Sequence, residues 1–145
     1  FSIAMSEIME TVPGLWNATR QFMADQGRLV AKRNAMGYFT NPDGSFNGCH
    51  FWNNFEIARF SLFRSPQYAA YFEHLERAGG FFYERWGDAP VHSLAVGMFL
   101  APEHIEHFED FGYRHEPGSL CPSDPQTRRK LICSCDPYES SDVAT

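Results

Sequence analysis

Apolar residues recur every three or four positions in three stretches of the chain, and this spacing predicts three helices. The first helix follows Pro13, a residue suited to a first helical turn, and ends near Gln26-Gly27. The residues at helical spacing in this stretch are Leu15, Trp16, Thr19, Phe22 and Met23. One face of this helix is therefore expected to be buried.

The second and third helices have clearer start signals. The second begins at Ser65-Pro66, a serine cap followed by a first-turn proline, and a glycine pair ends it at 79–80. The third opens at Asp88, with one proline in its first turn and another just beyond its end. The apolar faces are Tyr68, Tyr71, Phe72 and Leu75 in the second helix, and Val91, Leu94, Ala95, Met98 and Phe99 in the third.

Extended segments lie between the helices. A turn at 41–44 (NPDG) is expected to join short strands around Phe39 and Phe46, and aromatic strand-like runs follow at 49–52 and 55–60. A further short strand is expected at 105–109, before a loop-rich tail at 118–145. The chain thus reads as mixed α/β within a single domain, too short for a complete doubly wound sheet.

The composition indicates that the chain can bury a core, and its net charge argues against a nucleic-acid partner. Hydrophobic residues make up 43% of the 145 residues and aromatic residues 16%, enough to bury a core. The net charge of −6 argues against a nucleic-acid partner, which requires clustered basic residues. No run approaches the roughly 18 apolar residues of a membrane span. Because the chain begins with Phe1, any targeting segment is expected upstream.

The four cysteines give information about the redox compartment of the protein, and three of them lie near the end of the chain. Cys121, Cys133 and Cys135 suit a disulfide that staples the tail in an oxidising compartment, and Cys49 lies far upstream. Free thiols and a zinc site are the alternatives, although Cys-x-Cys lacks the usual ligand gap. The pairing stays open at this stage.

Three clusters of polar residues among aromatics could carry chemistry. In the run HFWNNFEI at 50–57, strand alternation would place Trp52, Asn54 and Glu56 on one face. Glu56 either points to water, as most glutamates do, or is half-buried with the shifted pKa typical of catalytic groups.

The other two clusters lie in connections. The first, GFFYERWGDAP at 80–90, holds Asp88, which could cap the third helix, and Glu84 and Arg85, which could form a surface ion pair. The second, DFGYRH at 110–115, ends in His115, the best candidate metal ligand among six histidines. A lone histidine is usually not a ligand, so spacing alone is weak support.

Taken together and in order, these clusters resemble the fungal α-1,2-mannosyltransferases of glycosyltransferase family 15. The matching runs are CHFWNNFEI at 49–57, LFRSPQYAAYF at 62–72, AGGFFYERWGDAPVHS at 78–93, HFEDFGYRH at 107–115, CPSDP at 121–125 and CSCDP at 133–137. The resemblance covers nearly the whole chain, and the block around 83–92 is highly specific.

The resemblance implies the carboxy-terminal part of a GT-A-like catalytic domain, in a type II membrane protein of the Golgi with a lumenal catalytic domain. Such an enzyme transfers mannose from GDP-mannose to mannose acceptors on N- or O-linked glycans, with retention of configuration and with Mn²⁺. The family's Glu-Pro-Asp motif, which serves metal and nucleotide binding, has no counterpart here and is expected upstream. The chain would then hold half of an active site and be inactive alone.

The resemblance also implies roles for individual residues. Glu56 is the expected nucleophile, Asp88 a second catalytic residue that orients a hydroxyl or the donor mannose, and His115 the metal ligand. Retention is open to double displacement, with Glu56 attacking the anomeric carbon, or to same-face attack, with Glu56 stabilising positive charge. The expected substrate-binding residues are Trp52, Asn53, Tyr83, Glu84, Arg85 and Trp86. The alternatives are a non-catalytic carbohydrate-binding module and a structural interaction domain.

Overall fold

The structure, a computed structural model, describes residues 1–116 and 118–141. Its α-helices are α1 Leu15–Asp25, α2 Phe60–Phe63, α3 Pro66–Ala78, α4 Gly80–Tyr83, α5 Asp88–Phe99 and α6 Pro125–Leu131. Its strands are β1 Ala4–Ser6, β2 Cys49–Phe51, β3 Tyr113–His115 and β4 Gly118–Leu120. Single 3₁₀ turns occur at Met9–Thr11, Gly27–Leu29, Met36–Tyr38, Pro102–His104 and Pro137–Glu139. The predicted mixed α/β class is confirmed.

The three predicted helices are confirmed as α1, α3 and α5, and α3 has the expected signals at both ends. Helix α1 begins at Leu15 after the cap residue Gly14, so Pro13 lies just before its first turn rather than in it. At the start of α3 the Ser65 hydroxyl accepts a hydrogen bond from the Tyr68 backbone N–H at 3.3 Å. At its end Gly79 adopts a left-handed conformation with φ of 82°, which glycine adopts without the steric cost of a side chain. Local residue types therefore determine where this helix begins and ends.

The core lies where α1, α3 and α5 meet, and aromatic rings fill it. Phe22 of α1 contacts Tyr71 of α3, with ring centroids 5.1 Å apart, and Phe99 of α5, at 6.2 Å. The Tyr71 and Thr19 hydroxyls share a buried hydrogen bond of 2.7 Å, and burial raises the pKa of Tyr71. The helix α5 is buried on nearly every side, so it forms the centre of the molecule.

Two small antiparallel sheets flank the helices. In the first, β1 pairs with β2 so that Met5 lies opposite His50. Beyond this pairing the Trp52 N–H donates to the Ile3 carbonyl at 2.8 Å, which extends the contact by one residue. In the second, β3 pairs with β4. The first sheet packs against α5 through β2.

Four predicted strands are wrong. Around the confirmed 41–44 turn, the chain forms only an isolated bridge between Thr40 and Phe46. The run 55–60 is irregular up to the start of α2, and 105–109 is also irregular. In each case apolar residues indicated burial, but no neighbouring strand offers the hydrogen bonds that a strand requires. These segments form loops instead, and their aromatic rings pack from those loops.

The carboxy-terminal tail is stapled as predicted. A disulfide joins Cys121 to Cys135 and encloses α6, whose cap residue Asp124 accepts a hydrogen bond from the Thr127 N–H at 2.7 Å. Besides this helix the tail holds β4, so it contains more regular structure than expected. Its last four residues, 142–145, lie outside the described part. Among the described residues, no helix is long and apolar enough to cross a membrane.

Candidate active site

A cavity of about 650 Å³ opens beside α5, where β2 ends. The segment after β2 contributes Trp52, Asn53 and Glu56 to one wall, and α5 contributes His92. The stretch 104–106 lines the cavity as well. Three of the predicted site residues therefore share one cavity of the size that small-molecule sites have.

Glu56 reaches across this cavity to a histidine of α5. Its Oε2 lies 3.1 Å from His92 Nδ1, and both side chains keep 27% of their surface exposed. Glu56 is thus neither fully exposed, as most glutamates are, nor part of a strand face, as the alternation predicted. A turn at 53–54 separates it from β2. A loop, not a strand face, therefore brings Trp52 and Glu56 to the same cavity.

The loop holds its position because its start is tied to α5. The buried Ser93 hydroxyl accepts a hydrogen bond from the Phe51 N–H at 2.8 Å and donates one to the Ala89 carbonyl at 2.6 Å. Ser93 follows His92 directly, so the same turn of α5 holds both the end of β2 and the partner of Glu56. Further along, Phe55 packs on Phe111 with ring centroids 4.5 Å apart.

Aromatic rings enclose His92. The Phe63 ring centroid lies 4.8 Å from that of His92, and the Tyr68 centroid lies 6.2 Å away. Burial raises the pKa of Tyr68, and the negative charges of Glu56 and Asp88 raise it further. Both carboxylates are therefore close enough to act on one phenol beside His92.

Asp88 lies one helical turn before His92, so the two share a face of α5. It is the first residue of the helix, and the cap position belongs to Gly87, so the predicted cap role is wrong by one residue. Its Oδ1 accepts a hydrogen bond from the Ala89 N–H at 3.1 Å. The side chain is exposed near the cavity without lining it.

Trp52 joins the cavity to the predicted metal ligand. Its ring meets the His115 ring edge-on, with centroids 5.6 Å apart. The ring also lies against Gly118, where a Cβ would come within 2.7 Å of it, so only glycine allows this approach. His115 lies on β3 and Gly118 on β4, and both contact the Trp52 ring. The pairing of these two strands therefore places His115 behind Trp52, a residue that lines the cavity.

His115 has the hydrogen bond expected of a metal-binding imidazole. Its Nδ1 lies 2.9 Å from the Glu116 carbonyl, an acceptor that fixes the proton on Nδ1 and leaves Nε2 with a lone pair. Within residues 1–116 and 118–141, however, no three histidine, cysteine or carboxylate side chains converge on a metal site. The described residues therefore offer His115 as a candidate for one metal ligand and do not form a complete metal site.

The predicted substrate-binding cluster at 83–86 lies apart from the cavity. The Glu84 Oε2 accepts hydrogen bonds from the Gly14 N–H at 2.9 Å and from the Trp86 Nε1–H at 2.6 Å. The Trp86 side chain is buried at 7% exposure and offers no open face for a sugar, whereas Tyr83 is 90% exposed. Arg85 is exposed, and its backbone N–H donates to the Thr11 carbonyl at 2.8 Å. In this structure Glu84 and Trp86 hold the fold together.

Reasoning from the sequence missed His92 and Tyr68. A signal for His92 was present, because Asp88 and His92 are four residues apart on a correctly predicted helix and so share a face. Tyr68 was assigned to the core face of α3. Tyr68 lies near the carboxylates of Glu56 and Asp88 because of the way α3 packs against α5, and no local sequence pattern predicts that packing.

Known proteins resemble this chain over nearly its full length. The profile of a family described as glycolipid 2-alpha-mannosyltransferase matches residues 1–145. Glycolipid 2-alpha-mannosyltransferase 1 of Candida albicans is 49% identical over 138 residues, which are 94% of this chain and 32% of the relative. The alpha-1,2 mannosyltransferase KTR1 of Saccharomyces cerevisiae is also 49% identical, over 94% of this chain and 35% of its own length. The chain thus spans about a third of these relatives.

Solved structures match over nearly the full chain. Core-mannan synthase A of Aspergillus fumigatus, in a Mn/GDP form, has a TM-score of 0.86 at 42% identity, covering 97% of this chain and 39% of that protein. The mannosyltransferase Ktr4p of Saccharomyces cerevisiae in complex with GDP has a TM-score of 0.88 at 34% identity, covering 97% of this chain and 38% of its own. The fold is that of the corresponding part of these structures.

Proposed function

Because the chain belongs to the glycolipid 2-alpha-mannosyltransferase family, we propose that it is part of a retaining α-1,2-mannosyltransferase. The enzyme would move mannose from GDP-mannose to mannose acceptors on N- or O-linked glycans. The observation that carries the proposal is the cavity shared by Trp52, Asn53 and Glu56, with a carboxylate held at its wall. The GDP in two of the matched structures supports a nucleotide-sugar donor.

The chemistry follows from the position of Glu56. Mannose bound in the cavity would present its anomeric carbon to the Glu56 carboxylate at the cavity wall. In double displacement the carboxylate attacks that carbon as GDP leaves, and the acceptor hydroxyl then displaces it with net retention. In same-face attack the carboxylate stabilises the positive charge that develops on the sugar. The Trp52 ring offers an apolar surface to either arrangement.

A manganese ion fits the residues present, with His115 as one ligand. The imidazole has its Nδ1 directed at a backbone carbonyl, which leaves Nε2 for a cation. When bound, the ion would offset the negative charge of the diphosphate. The manganese in the structure of core-mannan synthase A supports this assignment. The remaining ligands would come from the diphosphate and from segments outside this chain.

Replacing His115 with Ala is expected to weaken the apparent affinity for Mn²⁺ by about 10-fold or more, since one imidazole ligand is lost. Manganese titrations of mannose transfer and of calorimetric GDP binding, both on the full-length protein, measure this. Arg114→Ala serves as the neighbouring control, because Arg114 forms only an exposed ion pair with Glu116. Equal manganese dependence of the His115 variant and the wild type would contradict the assignment.

We place the full-length enzyme in the Golgi lumen as a type II membrane protein, anchored by a segment upstream of this chain. The disulfide between Cys121 and Cys135 supports an oxidising compartment. Immunolocalisation against Golgi markers, with protease protection of the catalytic domain, tests this placement. A cytosolic, protease-sensitive domain would contradict it.

Mannose transfer itself distinguishes the enzyme from a carbohydrate-binding module. The full-length protein, incubated with GDP-mannose, Mn²⁺ and an α-mannoside acceptor, is expected to yield an α-1,2-linked product. The linkage and anomeric configuration are read by NMR of the product. Acceptor binding without any transfer would favour the binding module, and a β-linked product would exclude retention.

A further inference from the structure

We infer that His92 is a positioning residue for Glu56: its Nδ1–H binds Oε2 and leaves Oε1 as the oxygen that faces the sugar. The inference rests on the proposed function, since it concerns the same carboxylate. His92 does not itself touch the reacting atoms in this assignment. It acts through Glu56, by fixing which oxygen is available.

The first support is the geometry of the pair. His92 Nδ1 and Glu56 Oε2 are 3.1 Å apart, within hydrogen-bonding distance. In the part of the chain that the structure describes, Glu56 makes no other side-chain hydrogen bond. Glu56 lies on an irregular loop after a turn, so its backbone offers little restraint of its own. Among the described residues, His92 thus supplies the side-chain hydrogen bond that restrains the carboxylate, beside the longer-range attraction of the Phe1 ammonium.

The second support is the rigidity of the donor. His92 belongs to α5, the most buried helix, and the adjacent Ser93 ties that helix to β2. The Phe63 and Tyr68 rings lie against the imidazole and limit its rotation. A donor held on a regular element by packing is the arrangement that positions a catalytic group well.

The third support is electrostatic. The hydrogen-bond partner of the imidazole is the Glu56 carboxylate, and the Tyr68 ring that lies against the imidazole is itself acted on by the charges of Glu56 and Asp88. A carboxylate accepts hydrogen bonds, so His92 must be the donor in this pair. Nδ1 carries a proton when it bonds to a carboxylate, whether the ring is neutral or cationic. The assignment thus holds in either protonation state of His92.

Such a restraint matters in both routes to retention. In double displacement or in same-face attack, one carboxylate oxygen must lie close to the anomeric carbon, and a misplacement of about 1 Å can cost roughly 10²-fold in rate. A hydrogen bond to the other oxygen removes the rotation that would move it away. The effect is expected in kcat, with little change in the binding of GDP-mannose.

Three substitutions in the full-length enzyme test the inference. The side-chain amide of asparagine can occupy the place of Nδ1, whereas that of glutamine corresponds to Nε2. His92→Ala and His92→Gln are expected to lower kcat by about 10- to 100-fold with KM for GDP-mannose changed less than about threefold. His92→Asn is expected to keep kcat within about fivefold of the wild type. Steady-state kinetics at saturating Mn²⁺ measure all three.

Two controls separate positioning from folding. His74 lies near the end of α3, and its Nε2 is 2.9 Å from the Ala18 carbonyl of α1. This contact is structural and does not involve Glu56 or His92. His74→Asn is expected to lower the thermal midpoint but not kcat. In a Glu56→Gln background, His92→Ala is expected to lower kcat no further, since residues that act as a unit are not additive.

The inference is overturned if all three His92 variants keep wild-type kcat, or if Asn is as impaired as Ala and Gln. It is also overturned if the His92 effect persists in the Glu56→Gln background. Each of these outcomes leaves the proposed function standing, provided that the wild type transfers mannose and Glu56→Gln lowers kcat by about 10³-fold or more. A wild type without transfer would instead contradict the proposed function.

Discussion

Glu56→Gln in the full-length enzyme is expected to lower kcat for mannose transfer by about 10³-fold or more, the scale seen when a nucleophile or charge-stabilising carboxylate is removed. Glutamine keeps the size of the side chain and a carbonyl oxygen for His92, so the cavity should keep its shape. It loses the negative charge that either retaining route requires. The loss should therefore appear in kcat, with GDP binding within about threefold of the wild type.

Transfer kinetics and calorimetric GDP binding measure this effect together. Glu73→Gln is the matched control, because Glu73 lies on α3 with its side chain 66% exposed in a surface pair with Arg77. The control should keep wild-type kcat. Transfer by Glu56→Gln at the wild-type rate would remove Glu56 from the chemistry and leave the cavity as a binding site.

Trp86→Ala is expected to lower the free energy of unfolding by about 3–5 kcal/mol, the range for removing a buried aromatic side chain. The Trp86 ring lies directly against Gly80, where a Cβ would overlap it, and contacts Phe81 edge-on. Its Nε1–H donates to Glu84, which also binds the Gly14 N–H at the start of α1. Alanine would leave a cavity and remove one of these bonds.

Denaturant unfolding of the full-length protein measures this cost, with Tyr83→Ala as the control. Tyr83 is 90% exposed, so its truncation is expected to change stability by less than about 0.5 kcal/mol. Trp86→Phe should recover part of the loss, because it refills the space but not the bond to Glu84. A Trp86→Ala protein of wild-type stability with a raised KM would instead support the substrate-binding role that the family resemblance implies.

Helices were predictable because their signals are local. Ser65 and Gly79 mark the two ends of α3, and the proline in the first turn of α5 marks its start. The disulfide in the tail was predictable in kind but not in pairing, since three nearby cysteines allow several bonds. Which cysteine pairs depends on the path of α6 between Cys121 and Cys135.

Strands near the site were not predictable because they depend on partners far along the chain. The run 55–60 has the aromatic composition of a strand, but β1 pairs only with Cys49–Phe51. The same limit applies to Glu84, where an exposed ion pair with Arg85 was one expectation. Its actual partners are Trp86 and Gly14, the second of them 70 residues away in sequence.

The candidate site shows a similar division. Trp52, Asn53 and Glu56 are close in sequence, so their shared cavity follows from one short run. His115 reaches the site only through Trp52, a contact that requires the pairing of β3 with β4. The family resemblance supplied roles that spacing alone could not, since Glu56 judged by its sequence neighbours alone was expected to be exposed to water rather than catalytic.

The most direct test of the central claim is a crystal structure of the full-length protein with Mn²⁺ and a non-hydrolysable GDP-mannose analogue. We expect the anomeric carbon about 3–3.5 Å from a Glu56 carboxylate oxygen, the separation of a reacting pair. We also expect the other oxygen on His92 Nδ1 and the ion on His115 Nε2. An anomeric carbon held elsewhere, with Glu56 directed to solvent, would contradict the central claim.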